Sequence, residues 1–229
     1  MKFQAKIEGP IFIGRSWAEY LKMFDLDLEK LKGKKILDCA AGASSFTSFM
    51  SKKGYDITAV DLLYDKDSKF LKNRCEEHLK ALVVALEKIE GEFVWSFFKS
   101  LDELKNHRME SCKDFNNDYK TNKGKRYLKA DLTQLPFPDN SFHTVLCAHL
   151  LFIYDHRLDW NFHQKTVEEM VRVSSKEVRI YPLVKNKGKK SIYVDKLIQN
   201  LPESLETQIV KVDYQFRRGG NEMLRIIKH

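Results

Sequence analysis

Hydrophobic and polar positions change period several times along the chain, and each change marks an element. In "SWAEYLKMF", beginning at Ser16, the apolar residues Trp17, Tyr20, Leu21 and Phe24 make one helical face, and Ser16 followed by Glu19 is a capping-box pattern. An amphipathic helix is expected there. After Gly33, "KKILDCA" reads as a short apolar strand, "SSFTSFMSKKG" as a helix with Phe46, Phe49 and Met50 on one side and Gly54 as its stop, and "DITAVDL" as a second strand. Strand, helix and strand within about 30 residues form the βαβ unit of a parallel sheet.

The next strand-like run, "RYLKADL" from Arg126, lies about 65 residues beyond Asp61, where about two to six residues usually flank a crossover helix. An insertion over 66–125 is therefore predicted. Leu79, Leu82, Val83, Leu86 and Ile89 fall at helical spacing, as do Phe93, Val94, Phe97, Phe98, Leu101 and Leu104, so two or three helices forming a cap are expected. "SCKDFNNDYKTNKGKR" is polar and glycine-broken, which predicts a mobile connection.

Beyond it, "TVLCAHL" and "EVRIYPL" read as strands, and 159–173 and 191–200 as helices. "TQIVKVDYQF", "RRGGN" and "EMLRIIKH" read as two strands across a glycine-bearing turn. The predicted fold class is α/β: a doubly wound, mostly parallel sheet ending in an antiparallel hairpin, with a helical insertion after the second strand. A single domain over 1–229 is expected, with 1–33 as an N-terminal helical lid.

Composition narrows this picture only slightly. The 43% hydrophobic, 12% aromatic and 31% charged residues are those of an ordinary soluble globular protein. A formal charge of +8 favours acidic ligands, RNA or solubility without choosing among them. Cys39, Cys75, Cys112 and Cys147 form no C-x-x-C pair, so a set of reduced thiols is expected. The start "MKFQAKIEGPIFIG" carries an acid and a proline where a secretory signal needs an apolar run, and no stretch approaches the roughly 18 apolar residues of a membrane span. A cytoplasmic location follows as an expectation.

In a doubly wound sheet, ligands lie beyond the carboxyl ends of the strands. The strand exits here are 38–45, Asp61, Asp131 with Leu132, and Ala148 with His149. A carboxylate ending the second strand suits a ribose diol, and Asp131 suits an exocyclic amine. Each acid also has a purely structural reading, Asp38 and Asp61 as helix caps and Asp131 as a turn former.

"ILDCAAGASSF", "DITAVDL" and "KADLTQLPFPDNSFHTVLCAHLLF", in this order, resemble the successive signature segments of class I S-adenosylmethionine-dependent methyltransferases. The resemblance covers roughly 35–183 apart from the insertion, and "LPFPDNSF" is its most specific part. Where the family usually alternates glycines, this chain has Ala40 and Ser44 at the outer positions and keeps Gly42. A dinucleotide pyrophosphate needs those glycines for close backbone approach, whereas S-adenosylmethionine has no phosphate.

The resemblance implies S-adenosylmethionine as cofactor, with Asp38, Ala40 and Gly42 along the methionyl portion and Asp61 and Leu62 at the ribose. It implies Asp131 with the backbone of Leu132 at the adenine, Ala148 as a further cofactor contact, and Arg15 with Tyr20 at the cofactor's carboxylate if the N-terminal helix folds over the site.

Methyl transfer is an in-line displacement from a donor that is already activated, so the protein mainly aligns the acceptor and excludes water. His149 and Tyr154 are the candidate catalytic residues. His149 is read as a general base for an acceptor that must lose a proton, or as a hydrogen-bonded structural histidine. His156 and His163 are evenly spaced with His149, yet Trp160, His163, Val167 and Met170 share a helical face, so packing is preferred over a metal and no metal is expected. His143 is read as structural. A cap beside the site favours a small-molecule acceptor. The alternatives are methylation of RNA or protein, with "NKGKR" and "KNKGKK" as phosphate contacts, and a non-catalytic domain that binds the cofactor.

Overall fold

A computed structural model describes residues 11–185 and 188–229. The first ten residues of the expected lid, with most of the start read against a secretory signal, and Asn186 and Lys187 of the second basic loop lie outside the described residues.

Alternation along the strands builds two cores on one sheet. In β1 (Lys35–Cys39), Leu37 and Cys39 point to one face and Ile36 to the other. In β4 (Phe142–Ala148), Val145 and Cys147 share the first face and Leu146 and Ala148 the second. The first face is covered by Val167, Met170 and Val173 of α6 (Trp160–Val173) and by Val194 and Leu197 of α7 (Ile192–Asn200). The second is covered by Tyr20 and Met23 of α1 (Trp17–Met23), Leu31 of α2 (Leu28–Leu31), and Phe46 and Met50 of α3 (Phe46–Lys52). Near-continuous apolar strands of this kind are what a sheet buried on both faces requires.

The sheet has seven strands in the order β3-β2-β1-β4-β5-β7-β6. β2 (Asp56–Asp61), β3 (Tyr127–Lys129) and β5 (Ser174–Tyr181) run parallel with β1 and β4, while β7 (Glu222–Lys228) pairs antiparallel with both β5 and β6 (Leu205–Lys211). The sheet is therefore mostly parallel and closes in an antiparallel hairpin, as the alternation predicts. The capping box at Ser16 and Glu19 also forms.

The insertion departs from its sequence reading in two places. Its helices are α4 (Ser68–Glu87) and α5 (Leu101–Asn122). The stretch expected to be a mobile connection, 111–126, is the second half of α5 as far as Asn122, where Ser111, Cys112, Phe115, Asn116 and Tyr119 are buried, and only 123–126 form a turn. The run from Phe93 to Phe98, expected to be helical, is irregular apart from a bridge between Phe93 and Arg217. Its aromatics pack against Phe216 instead. The thiols also differ from expectation: Cys39 and Cys147 are free and buried, but Cys75 of α4 and Cys112 of α5 form a disulfide. Pairing of the two helices brings together cysteines 37 residues apart, with Cα atoms 6.5 Å from each other. No helix among the described residues is long and apolar enough to cross a membrane.

Candidate active site

Parallel register brings the strand exits to one edge of the sheet. Cys39 pairs with Val60 on one side and with Cys147 on the other, and Ala148 pairs with Tyr181. The chain therefore leaves β1 at Ala40, β2 at Asp61 and β4 at His149 side by side. A cavity of about 610 Å³ opens there, within the roughly 300–1,000 Å³ of small-molecule sites. One wall is the segment 11–15, another comes from the insertion through Leu82, Leu86, Ile89 and Phe93, and a third from Phe216 and Arg217 between β6 and β7.

Left-handed backbone shapes this edge. Gly42 has φ +57°, but so have two residues with side chains, Ala40 at +52° and His149 at +54°. A Cβ costs roughly 1–2 kcal/mol in this region. The Gly42 N–H donates to Asp61 Oδ2 (3.1 Å), the Leu63 N–H donates to Asp61 Oδ1 (2.9 Å), and the Gly42 carbonyl accepts from the Tyr64 hydroxyl (2.7 Å). Asp61 thus ties the loop after β1 to the end of β2, and each of its oxygens keeps a lone pair for another donor. Burial raises its pKa, opposed by those two N–H groups. Ser44, at the other outer position, accepts from the Phe46 N–H (3.1 Å) and so serves the first turn of α3.

Of the residues singled out in the sequence, Arg15, Tyr20, Ala40, Gly42, Asp61, Leu62, Asp131, Leu132, Ala148, His149 and Tyr154 all line this cavity. Asp38 does not: it is fully buried, its Oδ1 accepts from the Tyr20 hydroxyl (3.2 Å), and its Oδ2 has no partner among the described residues. Burial pushes its carboxyl well above the usual range. Asp131 is exposed, and its Oδ1 accepts from the Thr133 N–H (2.9 Å) and hydroxyl (2.8 Å), so it forms a turn while bordering the cavity.

His149 packs its ring edge-on against Tyr181, 5.2 Å between centroids, and its Nδ1 is buried without a partner among the described residues. Burial, then the positive charges of Arg15, Arg108 and Arg217, hold its pKa well below the ordinary histidine value. The Tyr154 hydroxyl accepts from the Ile11 N–H (3.0 Å). His156 also lines the cavity, whereas His163 is buried in α6 with its Nδ1 against the Asp159 carbonyl (2.8 Å), so the three evenly spaced histidines do not face one point.

Sequence reasoning missed the ionic core beneath the segment 11–16. Glu19 accepts from Arg108 on α5 through both oxygens, from the Tyr214 hydroxyl (2.6 Å) and from the Ser16 N–H (2.8 Å). Arg108 also donates to the Gly14 carbonyl (3.2 Å). Burial alone would raise the Glu19 pKa, but Arg108 outweighs it and holds the carboxyl at about 2. The Phe12 N–H donates to His78 Nδ1 of α4 (2.9 Å). Both insertion helices therefore hold the segment 11–16 across the site. Its one sequence signal is Gly14, where an added Cβ would lie 2.7 Å from the Cys112 nitrogen.

The uncharacterized protein MJ0045 of Methanocaldococcus jannaschii is 37% identical over 221 residues, which cover 96% of this chain and 97% of that one. A family model described as "Methyltransferase domain" matches residues 103–181, the stretch from α5 through the third and fourth strand exits to the end of β5. The chain belongs to the class I S-adenosylmethionine-dependent methyltransferases.

Among solved structures, the methyltransferase resembles magnesium protoporphyrin IX methyltransferase of Synechocystis PCC 6803 with bound SAH at 11% identity and a TM-score of 0.47, covering 88% of this chain and 77% of that one. It resembles an S-adenosylmethionine-dependent methyltransferase of Aquifex aeolicus at 17% identity and a TM-score of 0.39, covering 91% of each. Overlays this loose carry no substrate and no residue roles. The methyl donor of this methyltransferase is S-adenosylmethionine.

Proposed function

We propose that this methyltransferase modifies a small molecule enclosed with the donor in the 610 Å³ cavity. The carrying observation is the enclosure itself: the segment 11–15, the insertion and the hairpin link wall the space beyond the strand exits on three sides, which suits a small acceptor. The residues present suit the donor. Arg15 is buried to 18% side-chain exposure and is 3.7 Å from Glu19, but it makes no side-chain hydrogen bond among the described residues, so its N–H groups suit a carboxylate. Tyr20 and the Ala40–Gly42 backbone would lie along the methionyl portion, Asp61 and Leu62 at the ribose, and Leu132, Asp131 and Ala148 at the adenine. Asp38 would act at one remove, by fixing Tyr20.

The donor supplies an activated methyl and departs as a neutral thioether. The chain's own residues then have two tasks, to align the acceptor and to take its proton. His149 would accept that proton because its imidazole is kept neutral, and Tyr154, tied to the lid at Ile11, would position the acceptor.

The first basic loop gives little to an RNA reading. Lys123 Nζ donates to the Asp65 (2.6 Å) and Lys66 (2.9 Å) carbonyls, and Arg126 lies 3.8 Å from Asp118. Incubation with labelled donor and size-fractionated cell extract tests the proposal. Label is expected in the small-molecule fraction, and label confined to RNA or protein would reject it.

A further inference from the structure

Charge in the cavity exceeds what the donor needs. Five arginines line it, Arg15, Arg74, Arg108, Arg157 and Arg217, against the carboxylates of Asp61 and Asp131. Glu19 balances one more, and its hydrogen bonds go to Arg108, Tyr214 and Ser16. The donor adds no relief: its carboxylate matches one arginine, while its sulfonium and ammonium bring two further positive charges.

Arg217 is one cation that none of these carboxylates bonds. It is half-buried, and its guanidinium makes no hydrogen bond or ion pair among the described residues. It lies over the Phe93 ring, 5.1 Å from the centroid. The bridge between Phe93 and Arg217 and the Val94 N–H bond to the Phe216 carbonyl (2.7 Å) hold it in place. Its charge reaches both His149 and Tyr154. A rigidly held guanidinium that is partly desolvated and has no carboxylate at ion-pair distance among the described residues, the exposed Glu92 acting on it only from farther away, is a binding site for a planar or tetrahedral oxyanion. Around it the walls are apolar: Leu82, Leu86, Ile89, Phe93 and Phe216.

We propose that the methyl acceptor carries an oxyanion, a carboxylate or a phosphate ester, that binds Arg217 and is not itself the nucleophile, with an apolar body against Phe93, Leu86 and Ile89. The inference rests on the small-acceptor reading above. It places the nucleophile beside His149, which lines the same cavity. The donor's own carboxylate stays with Arg15.

Calorimetry tests this without knowledge of the acceptor. The protein saturated with the demethylated donor product is titrated with benzoate, phenyl phosphate and neutral benzamide. Binding of benzoate or phenyl phosphate, but not benzamide, is expected, and the better of the two identifies the oxyanion. R217Q should weaken that binding by about 10- to 100-fold, the loss of a charge-assisted hydrogen bond. R217K should restore part of it, and affinity for the demethylated product should stay unchanged in both. No heat with either anion, or equal heats in R217Q, overturns the inference. In the extract assay, label entering only uncharged small acceptors would sink this inference alone, whereas label confined to macromolecules would sink the small-acceptor reading beneath it.

Discussion

Glu19 of α1 and Arg108 of α5 form a two-pronged ion pair with almost no solvent contact, Glu19 being 0% and Arg108 1% exposed. The pair joins the N-terminal helix to the insertion. Removing one partner leaves a buried charge without a counter-ion, which costs about 3–5 kcal/mol, more than the intact pair itself contributes. E19Q should therefore destabilise the protein by that amount in urea unfolding, and E19Q combined with R108M should recover part of the loss. Equal stability of E19Q and the parent would refute the burial argument.

Acid should reveal the same pair. Glu19 titrates at about 2 in the folded protein against an ordinary value of 4.5, so its stabilisation is complete above the unfolded value and disappears as pH falls from about 4.5 towards 2. The stability gap between parent and E19Q should be constant near neutral pH and shrink across that window. A gap as wide at pH 3 as at pH 7 would show that the carboxylate is not held by Arg108.

Gly14 sits where the lid crosses α5. An alanine there would place its Cβ 2.7 Å from both the Cys112 nitrogen and the Ser111 Cβ and 2.9 Å from the Arg108 carbonyl oxygen. Backbone cannot yield as a side-chain tip can, so G14A should open the lid at a cost of about 1–3 kcal/mol. The expected result is weaker donor binding by calorimetry with α5 still folded by circular dichroism. Unchanged affinity would mean that the lid is not needed for the donor.

Ala40 holds φ +52° where a glycine would be unstrained. A40G gains the relief of that strain and loses about 0.4–1 kcal/mol through a more flexible unfolded chain. The net expectation is a change between zero and about 1.6 kcal/mol towards stability, with donor affinity retained. Thermal unfolding checks it, and a clear loss of stability would contradict the strain.

These residues show what the sequence could and could not reveal. The strands and the helices packed directly on them were legible because their apolar periods answer to one large core: Ile36, Leu37, Val145 and Leu146 need no partner from far away to be recognised. α5 was legible only in its first turns. Its inward face runs Leu104, Arg108, Ser111, Cys112, Phe115 and Tyr119, a helical spacing interrupted by polar residues. Those residues are buried because they bond Glu19, Gly14 and Ser45 across the lid. Polar burial of this kind depends on partners roughly 66 to 94 residues away, which no local window contains. Phe93 to Phe98 shows the converse error: helical spacing of aromatics was real, but Phe93, Trp95 and Phe98 pack against Phe216, and the backbone is irregular apart from the bridge between Phe93 and Arg217. The cavity residues at the strand exits were found because topology alone places them. Arg217, in the link between the last two strands, carries no comparable positional rule.

His149 provides the sharpest test of the proposed chemistry. Its ring contacts Tyr181 from β5, and the charged groups acting on it are Arg15 from the lid, Arg108 from α5 and Arg217 from the β6–β7 link, all positive. Burial and these cations both disfavour the imidazolium, so the histidine should be neutral at neutral pH. A base that is already deprotonated gives kcat no inflection near the ordinary histidine value of 6.5, only a fall at lower pH. H149N should lower kcat by about 10²- to 10⁴-fold while leaving donor affinity in place. R217Q removes one of the three cations and should move the acid limb of the parent profile upwards in pH, a displacement that simple loss of acceptor binding would not produce. A kcat profile with its limb near 6.5 in the parent, or an R217Q limb that does not move, would remove His149 from the role of base.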